Sequence, residues 1–269
     1  MKKLNSSLKL ILLLLLVLAF ALSGCSSKAE KTDESAEAAA AVYKVAMEPT
    51  FPPFDTTDPQ TGELTGFDYD MMNAIAADQG FELEWVNMGF DGLIPALQAG
   101  NIDIIASGMD ARPDRREKVD FSTTYYDSGL VVAVKADNTT ITGMDSLTAD
   151  MKVGGQIGTS GGDQAQKLAD EGKVAEAKIY NGLDVAFMDL QNGTIQAIIN
   201  DKPVTEAYIL AKPDTIKIVG DILNSESYGY AVKKGNAELL DKINQGMQNL
   251  KDKGELQAIY EKWGLTLED

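Results

Sequence analysis

The chain has 269 residues, a net charge of −17, one cysteine and no histidine. Such an acidic body argues against nucleic acid as a partner, because phosphates want a basic stripe. With no histidine, His-based general-base catalysis and every Ser-His or Cys-His nucleophile are excluded, and soft-metal sites are not expected.

The N-terminus carries Lys2, Lys3 and Lys9 and then an uncharged apolar run, Leu10 to Leu22. Leu22-Ser23-Gly24-Cys25 closes it. A charged start, an apolar middle and small residues before a cut site make a signal peptide over residues 1–24. The run is short for a membrane span, which needs about 20 apolar residues. The four residues ending at Cys25 resemble a bacterial lipobox. That implies a Cys25 carrying acyl (palmitate) chains and tethered to the outer side of the cell membrane, where two chains anchor and one does not; the other reading is an ordinary signal peptide in which Cys25 is incidental. Removing residues 1–24 takes the charge from −17 to −20 and leaves no free thiol after lipidation. Residues 26–41 hold Ser, Lys, Glu, Ala and Asp without a large apolar side chain, so 25–41 reads as lipidated Cys plus flexible tether.

Order is expected from Val42 to Ala46, an alternating strand. Phe67 to Asp78 has helical apolar spacing with Gly80 as its stop, and Phe81 to Val86 alternates again. Asp91 is expected to N-cap a helix running to Ala99, with Pro95 in its first turns and Gly100 as its stop. Ile102 to Ala106 reads as a short buried strand, and Val153 to Gly155 and Ile195 to Asn200 as later ones. This alternation predicts an α/β protein with mostly parallel sheets. Leu97-Gln98-Ala99-Gly100-Asn101-Ile102-Asp103-Ile104-Ile105 echoes Leu190-Gln191-Asn192-Gly193-Thr194-Ile195-Gln196-Ala197-Ile198. The echo is either chance or the mark of two lobes built alike. In open α/β sheets ligands bind beyond the carboxyl ends of strands, so two such ends facing each other would make a cleft.

Four segments carry candidate chemistry. In Glu48-Pro49-Thr50-Phe51-Pro52-Pro53-Phe54 the prolines stiffen a loop holding two rings and an acid, suited to a cation or an amide. Phe51, Phe54 and, farther on, Phe90 are each either such a platform or a core plug. Ser107-Gly108-Met109-Asp110 leads to Arg112, Arg115 and Arg116, any of which offers a carboxylate a planar fork or is simply solvated. Gln156-Ile157-Gly158-Thr159-Ser160-Gly161-Gly162-Asp163 precedes a helix and suits a phosphate or carboxylate, or is a plain capped turn; it is neither a P-loop nor a GxGxxG fingerprint. Asp201, after an apolar strand, is a cation partner or the start of a turn into Pro203.

Together with Gly66-Phe67-Asp68, Gly89-Phe90-Asp91-Gly92-Leu93-Ile94-Pro95-Ala96-Leu97, Asp114-Arg115-Arg116, Val119-Asp120-Phe121-Ser122, Tyr125-Tyr126 and Lys262-Trp263-Gly264, these segments resemble the family-3 polar amino-acid solute-binding proteins of ABC importers, over about Val42 to Gly264. Tyr69 stands where that family usually has an aliphatic residue. The resemblance implies a type II periplasmic-binding-protein fold. Its two α/β lobes, 42–126 plus 228–269 and 127–227, are joined by two hinge strands near Tyr126–Leu130 and Glu226–Tyr230. It implies that Arg115 clamps a ligand α-carboxylate with Thr159 and Ser160, and that Asp201 and the Gly108 carbonyl take the α-ammonium. Phe51 and Phe90 then sandwich the side chain, and Glu48 and Gln156 read its tip. Asp110 departs from the usual Thr or Ser. It either orients Arg115 or, with Glu48, makes the pocket acidic and favours arginine or lysine over glutamine. The implied partners are a polar amino acid, a permease with its ATPase subunits, and the membrane through Cys25; a monomer without cofactor or metal is expected. Rival readings are a sensor reporting to a membrane receptor, and a dehydratase- or transglycosylase-like enzyme in the same cleft, for which Glu48 is the only thin support.

Overall fold

The computed structural model describes residues 40–267. The expected signal peptide, Cys25 and the expected tether, up to residue 39, lie outside the described residues. The described residues form one compact unit.

Its first half alternates strand and helix: β1 Val42–Met47, α1 Phe67–Gln79, β2 Glu82–Asn87, α2 Phe90–Ala99 and β3 Ile104–Ile105. Helix α1 forms because Phe67, Met71, Met72, Ile75 and Ala76 recur on one face and are all buried. It stops at Gly80, whose φ of 71° suits only a residue without Cβ strain. Helix α2 begins at Phe90 with Gly89 as its N-cap, so Asp91 lies inside the first turn and makes no capping bond. The expected Asp91 cap is therefore corrected; the acid favours the helix N-terminus by its charge instead. The short α3, Pro113–Arg116, leads to β4 Val119–Phe121.

The chain then crosses on β5 Tyr126–Ser128 and builds a second sheet with β6 Leu130–Lys135, β7 Lys152–Gln156, α4 Ser160–Asp170, β8 Glu176–Tyr180, α5 Leu183–Asn192, β9 Ala197–Asp201, α6 Lys202–Ala211 and β10 Ile216–Val219. It returns on β11 Glu226–Tyr228, adds β12 Ala231–Lys233 to the first sheet, and ends in α7 Ala237–Lys253 and α8 Glu255–Lys262.

The sheets run β2-β1-β3-β12-β4 and β8-β7-β9-β6-β10. In each, one strand (β12, β6) runs against the other four, so half of the pairings are antiparallel. That is less parallel than the βαβ rhythm alone suggests, because the reversed strand in each is the one that follows a crossing. The echoing segments take matching places. Helices α2 and α5 end at Gly100 (φ 77°) and Gly193 (φ 76°), and β3 and β9 lie at the centres of their sheets. The two crossings pair with each other, β11 antiparallel to β5, with Tyr228 opposite Tyr126.

An aromatic cluster braces the first lobe at this hinge. Phe54 is fully buried with Phe67, Tyr126 and Tyr228 at centroid distances of 5.8, 5.0 and 5.1 Å, which settles it as core. Tyr125 stacks on Tyr230 at 4.5 Å, and the Tyr260 hydroxyl donates to the Tyr125 carbonyl. No helix among the described residues is long and apolar enough to cross a membrane.

Candidate functional site

The carboxyl ends of the central strands of both sheets face one another. Glu48 follows β1, Gly108 and Asp110 follow β3, Gln156 ends β7, and Asp201 ends β9. Between them lies a narrow cavity lined by Phe51, Phe90, Gly108, Asp110, Arg115, Thr159, Ser160, Asp201 and Glu226. Eight of the ten expected binding residues thus share one cavity; Glu48 and Gln156 meet each other beside it.

Arg115 is 3% exposed. Its Nη1 donates to the Asp110 carbonyl and its Nη2, across the cleft, to the Gly158 carbonyl, both at 2.9 Å. Its guanidinium carbon lies 5.3 Å from the centroid of Phe90, so this ring supports the cation as well as walling the cavity. Burial first, then the charge of Arg112, pulls its pKa below the ordinary value. Arg112 sits at the rim, bonded to Ser160 Oγ (3.1 Å) and paired with Asp163 (2.8 Å). Arg116 donates to the Ala111 carbonyl and covers Phe121. Of the three arginines, Arg115 alone lines the cavity.

The Gly-rich loop works through close packing. Thr159 caps α4: its hydroxyl accepts from the Gly162 amide (3.1 Å) and donates to the Gln156 carbonyl (2.8 Å). That proton is spent on the fold. Ser160 Oγ accepts from Arg112, which leaves its own proton to donate into the cavity. Helix N-terminal amides add to this anion-favouring end. Gly108 is required because its φ is 46° and a Cβ there would sit 2.5 Å from the Phe51 ring.

At the opposite wall, Asp201 Oδ1 accepts from the Tyr228 hydroxyl at 2.5 Å, and Ser128 Oγ stands 2.9 Å on the other side of that hydroxyl. Burial, then the charge of Glu226, pushes the Asp201 carboxyl well up. Asp110 is held by a different bond from the one expected. Its Oδ1 accepts the Ser227 amide (3.2 Å), while its main-chain carbonyl takes Arg115. Burial and then Glu226 raise its pKa too. Glu226 and Tyr228 were not candidates from sequence. The signal was available in Glu226-Ser227-Tyr228-Gly229-Tyr230, where alternation puts the acid on the face of two tyrosines.

Beside the cavity, Glu48 Oε2 accepts from Thr50 Oγ1 (2.8 Å) and from Gln156 Nε2 (2.9 Å). Gln156 Nε2 also donates to the Asn181 carbonyl (3.0 Å), which fixes its amide orientation and leaves Oε1 buried without a partner. Burial raises the Glu48 pKa, opposed by these bonds. Thr50 Oγ1 accepts the Leu183 amide (2.9 Å), and the Thr50 carbonyl accepts the Tyr208 hydroxyl (3.1 Å), so this corner also ties the lobes together.

Beneath the site, Asp68 accepts the Gly108 amide (2.7 Å) and is fully buried. Burial pushes its pKa from 3.8 to about 7, against its hydrogen bonds. Burial and Asp68 push neighbouring Asp55 the same way. The folded chain therefore binds more protons here than the unfolded chain. That contribution to stability is whole below pH 3.8 and is lost as pH rises through about 7. We expect the melting temperature to fall between pH 5 and pH 8, and Asp68→Asn to flatten the fall. A melting temperature rising across that interval, followed by circular dichroism, would contradict this.

The described residues hold no group of three or more His, Cys, Asp or Glu fit for a metal ion. A probable histidine-binding protein of Neisseria gonorrhoeae is 31% identical over 251 residues, 91% of either chain. An ancestral arginine-binding protein bound to arginine superposes with a TM-score of 0.79 at 39% identity, covering 84% of this chain and 99% of that one. A related ancestral arginine-binding protein, bound to glutamine, gives 0.76 at 40% identity, covering 82% and 97%. With the family model matching residues 43–266, the chain belongs to the bacterial extracellular solute-binding proteins, family 3, and has their type II periplasmic-binding-protein fold.

Proposed function

We propose that this protein captures a free polar amino acid outside the cell membrane and delivers it to an ABC permease, held near that membrane by acyl chains on Cys25. The observation that carries the reading is Arg115 and Asp201 in one small cavity, with Ser160 beside the arginine. An arginine fork and a hydroxyl match a carboxylate, and a buried acid matches an ammonium. A free amino acid bears both at one carbon, so it bridges β9 of one lobe and α3 of the other. Rotation about β5 and β11 would then close the lobes on it.

Arginine is the first choice of ligand. Asp110, Asp201 and Glu226 outnumber the single lining cation, Arg115. Beside the cavity, Glu48 and the unpartnered Gln156 Oε1 would supply acceptors to a side chain made only of donors that reached them. Both ancestral relatives bear the name arginine-binding, and one holds glutamine. Calorimetric titration of the purified protein with arginine, lysine, histidine and glutamine tests this. Arginine is expected to bind at least tenfold more tightly than glutamine; equal or tighter glutamine binding would overturn the charge argument, and silence from all four the amino-acid reading.

A further inference from the structure

Glu226 enters the cavity from the hinge, not from either sheet. It is 4% exposed on β11, two residues before the tyrosine that holds Asp201. Its Oε1 accepts from Asn224 Nδ2 (2.9 Å), and Asn224 Oδ1 in turn accepts the Leu130 amide (2.7 Å), where β6 leaves the hinge. Asp201 and Glu226 are both buried and wall the same cavity, where burial and then the charge of Glu226 push the Asp201 carboxyl up. Burial on one small cavity wall beside a second acid favours the protonated form of Asp201, because two negative charges brought together out of water repel strongly.

The surrounding charges do not remove that preference. Asp110, from the loop after β3, adds a third acid on the cavity wall. Arg115 is engaged with two carbonyls, and Arg112 with Ser160, Asp114 and Asp163. Lys167, on α4, faces Glu226 only across the open outer cleft. On the paired hinge strand, Asp127 accepts from Ser227, whose side chain alternates away from Glu226.

We propose that Glu226 is a second acceptor for the ligand's ammonium group, and that Asp201, on the same cavity wall, gives up a proton when that group arrives, coupling capture to proton release. The inference rests on the amino-acid reading above. The ammonium keeps its three hydrogens and donates to two carboxylates; the displaced proton passes to solvent. No covalent bond changes. Since Glu226 belongs to the hinge, a bound ammonium ties both lobes to the strand about which they turn.

The test is calorimetry of the native protein with arginine at pH 7, in phosphate and in Tris, whose protonation heats differ widely. The binding enthalpy is expected to differ between the buffers by the heat of roughly one proton, and affinity to rise up to about tenfold per pH unit between pH 5 and 7. Glu226→Gln is expected to bind more weakly and to lose most of the buffer dependence. Glu226→Asp, which keeps the charge, should retain it. Identical enthalpies in both buffers with clear binding would overturn the coupling while leaving the amino-acid reading intact. A Glu226→Gln protein that binds with the full buffer dependence would overturn the role of Glu226. Absence of heat with arginine, lysine, histidine and glutamine in both buffers would overturn the amino-acid reading and this inference together. The native-protein comparison decides the coupling even where a variant does not fold.

Discussion

Arg115→Ala is expected to weaken amino-acid binding by about 2–5 kcal/mol, roughly 30- to 5000-fold in affinity. The size follows from burial: Arg115 is 3% exposed, so a carboxylate brought into the cavity would be left desolvated without its partner. The same side chain reaches across the cleft to the Gly158 carbonyl at 2.9 Å, so alanine removes a contact between the lobes as well. Arg115→Lys separates the two effects. It keeps the charge but not the planar fork, and should recover only part of the loss. Arg112→Ala is the matched control. That side chain is at the rim and pairs with an exposed acid, Asp163, so its loss should cost about 1 kcal/mol or less. Titration calorimetry on the three variants reads all of this. Affinity within threefold of the native protein in Arg115→Ala would refute the carboxylate-clamp role.

The sequence alone located the elements better than the bonds. Helix α1 and the turns at Gly80, Gly100 and Gly193 were legible because their causes are local: apolar spacing and a left-handed residue after it. Asp91 misled because a capping residue and a first-turn acid look the same in a string of letters, and only the start of the helix at Phe90 tells them apart. Thr159 shows a second limit. Its type suits a carboxylate, yet its hydroxyl proton goes to the Gln156 carbonyl, a choice fixed by how closely α4 sits on β7. Glu226 was illegible as a cavity wall because its neighbours Asp110 and Asp201 lie 116 and 25 positions away. Its function depends on where the hinge strand crosses, which is a property of the folded chain. The lobes' likeness was half legible: the echo of residues 97–105 in 190–198 marked matching helix ends and strands, but not the reversed strand beside each.

That close seat of α4 predicts the second large effect, on stability. Gly162→Ala is expected to destabilise the protein by about 2–3 kcal/mol, against the ordinary rule that alanine stabilises a helix over glycine by about 0.8–1 kcal/mol. The rule loses because a Cβ on Gly162 would fall 2.0 Å from the Gln156 carbonyl oxygen and 2.9 Å from its carbon, main-chain atoms that cannot swing aside. Relief requires α4 to lift off β7, and that movement breaks the Thr159 cap and displaces Ser160 and Gln156 together. At about 2–4 °C per kcal/mol for a domain of this size, the melting temperature should drop by roughly 5–10 °C, with weaker ligand binding. Gly92→Ala supplies the contrast. Gly92 is likewise inside a helix, α2, but its added methyl would meet only the Met88 side-chain tip, at 3.9 Å. There the propensity gain stands unopposed, and the melting temperature should hold or rise by about 1–3 °C. Thermal unfolding of both variants by calorimetry compares one substitution in two helices. Equal shifts would mean that α4 can move away from β7 at little cost, and that the glycines of this loop are there for the ligand rather than for packing.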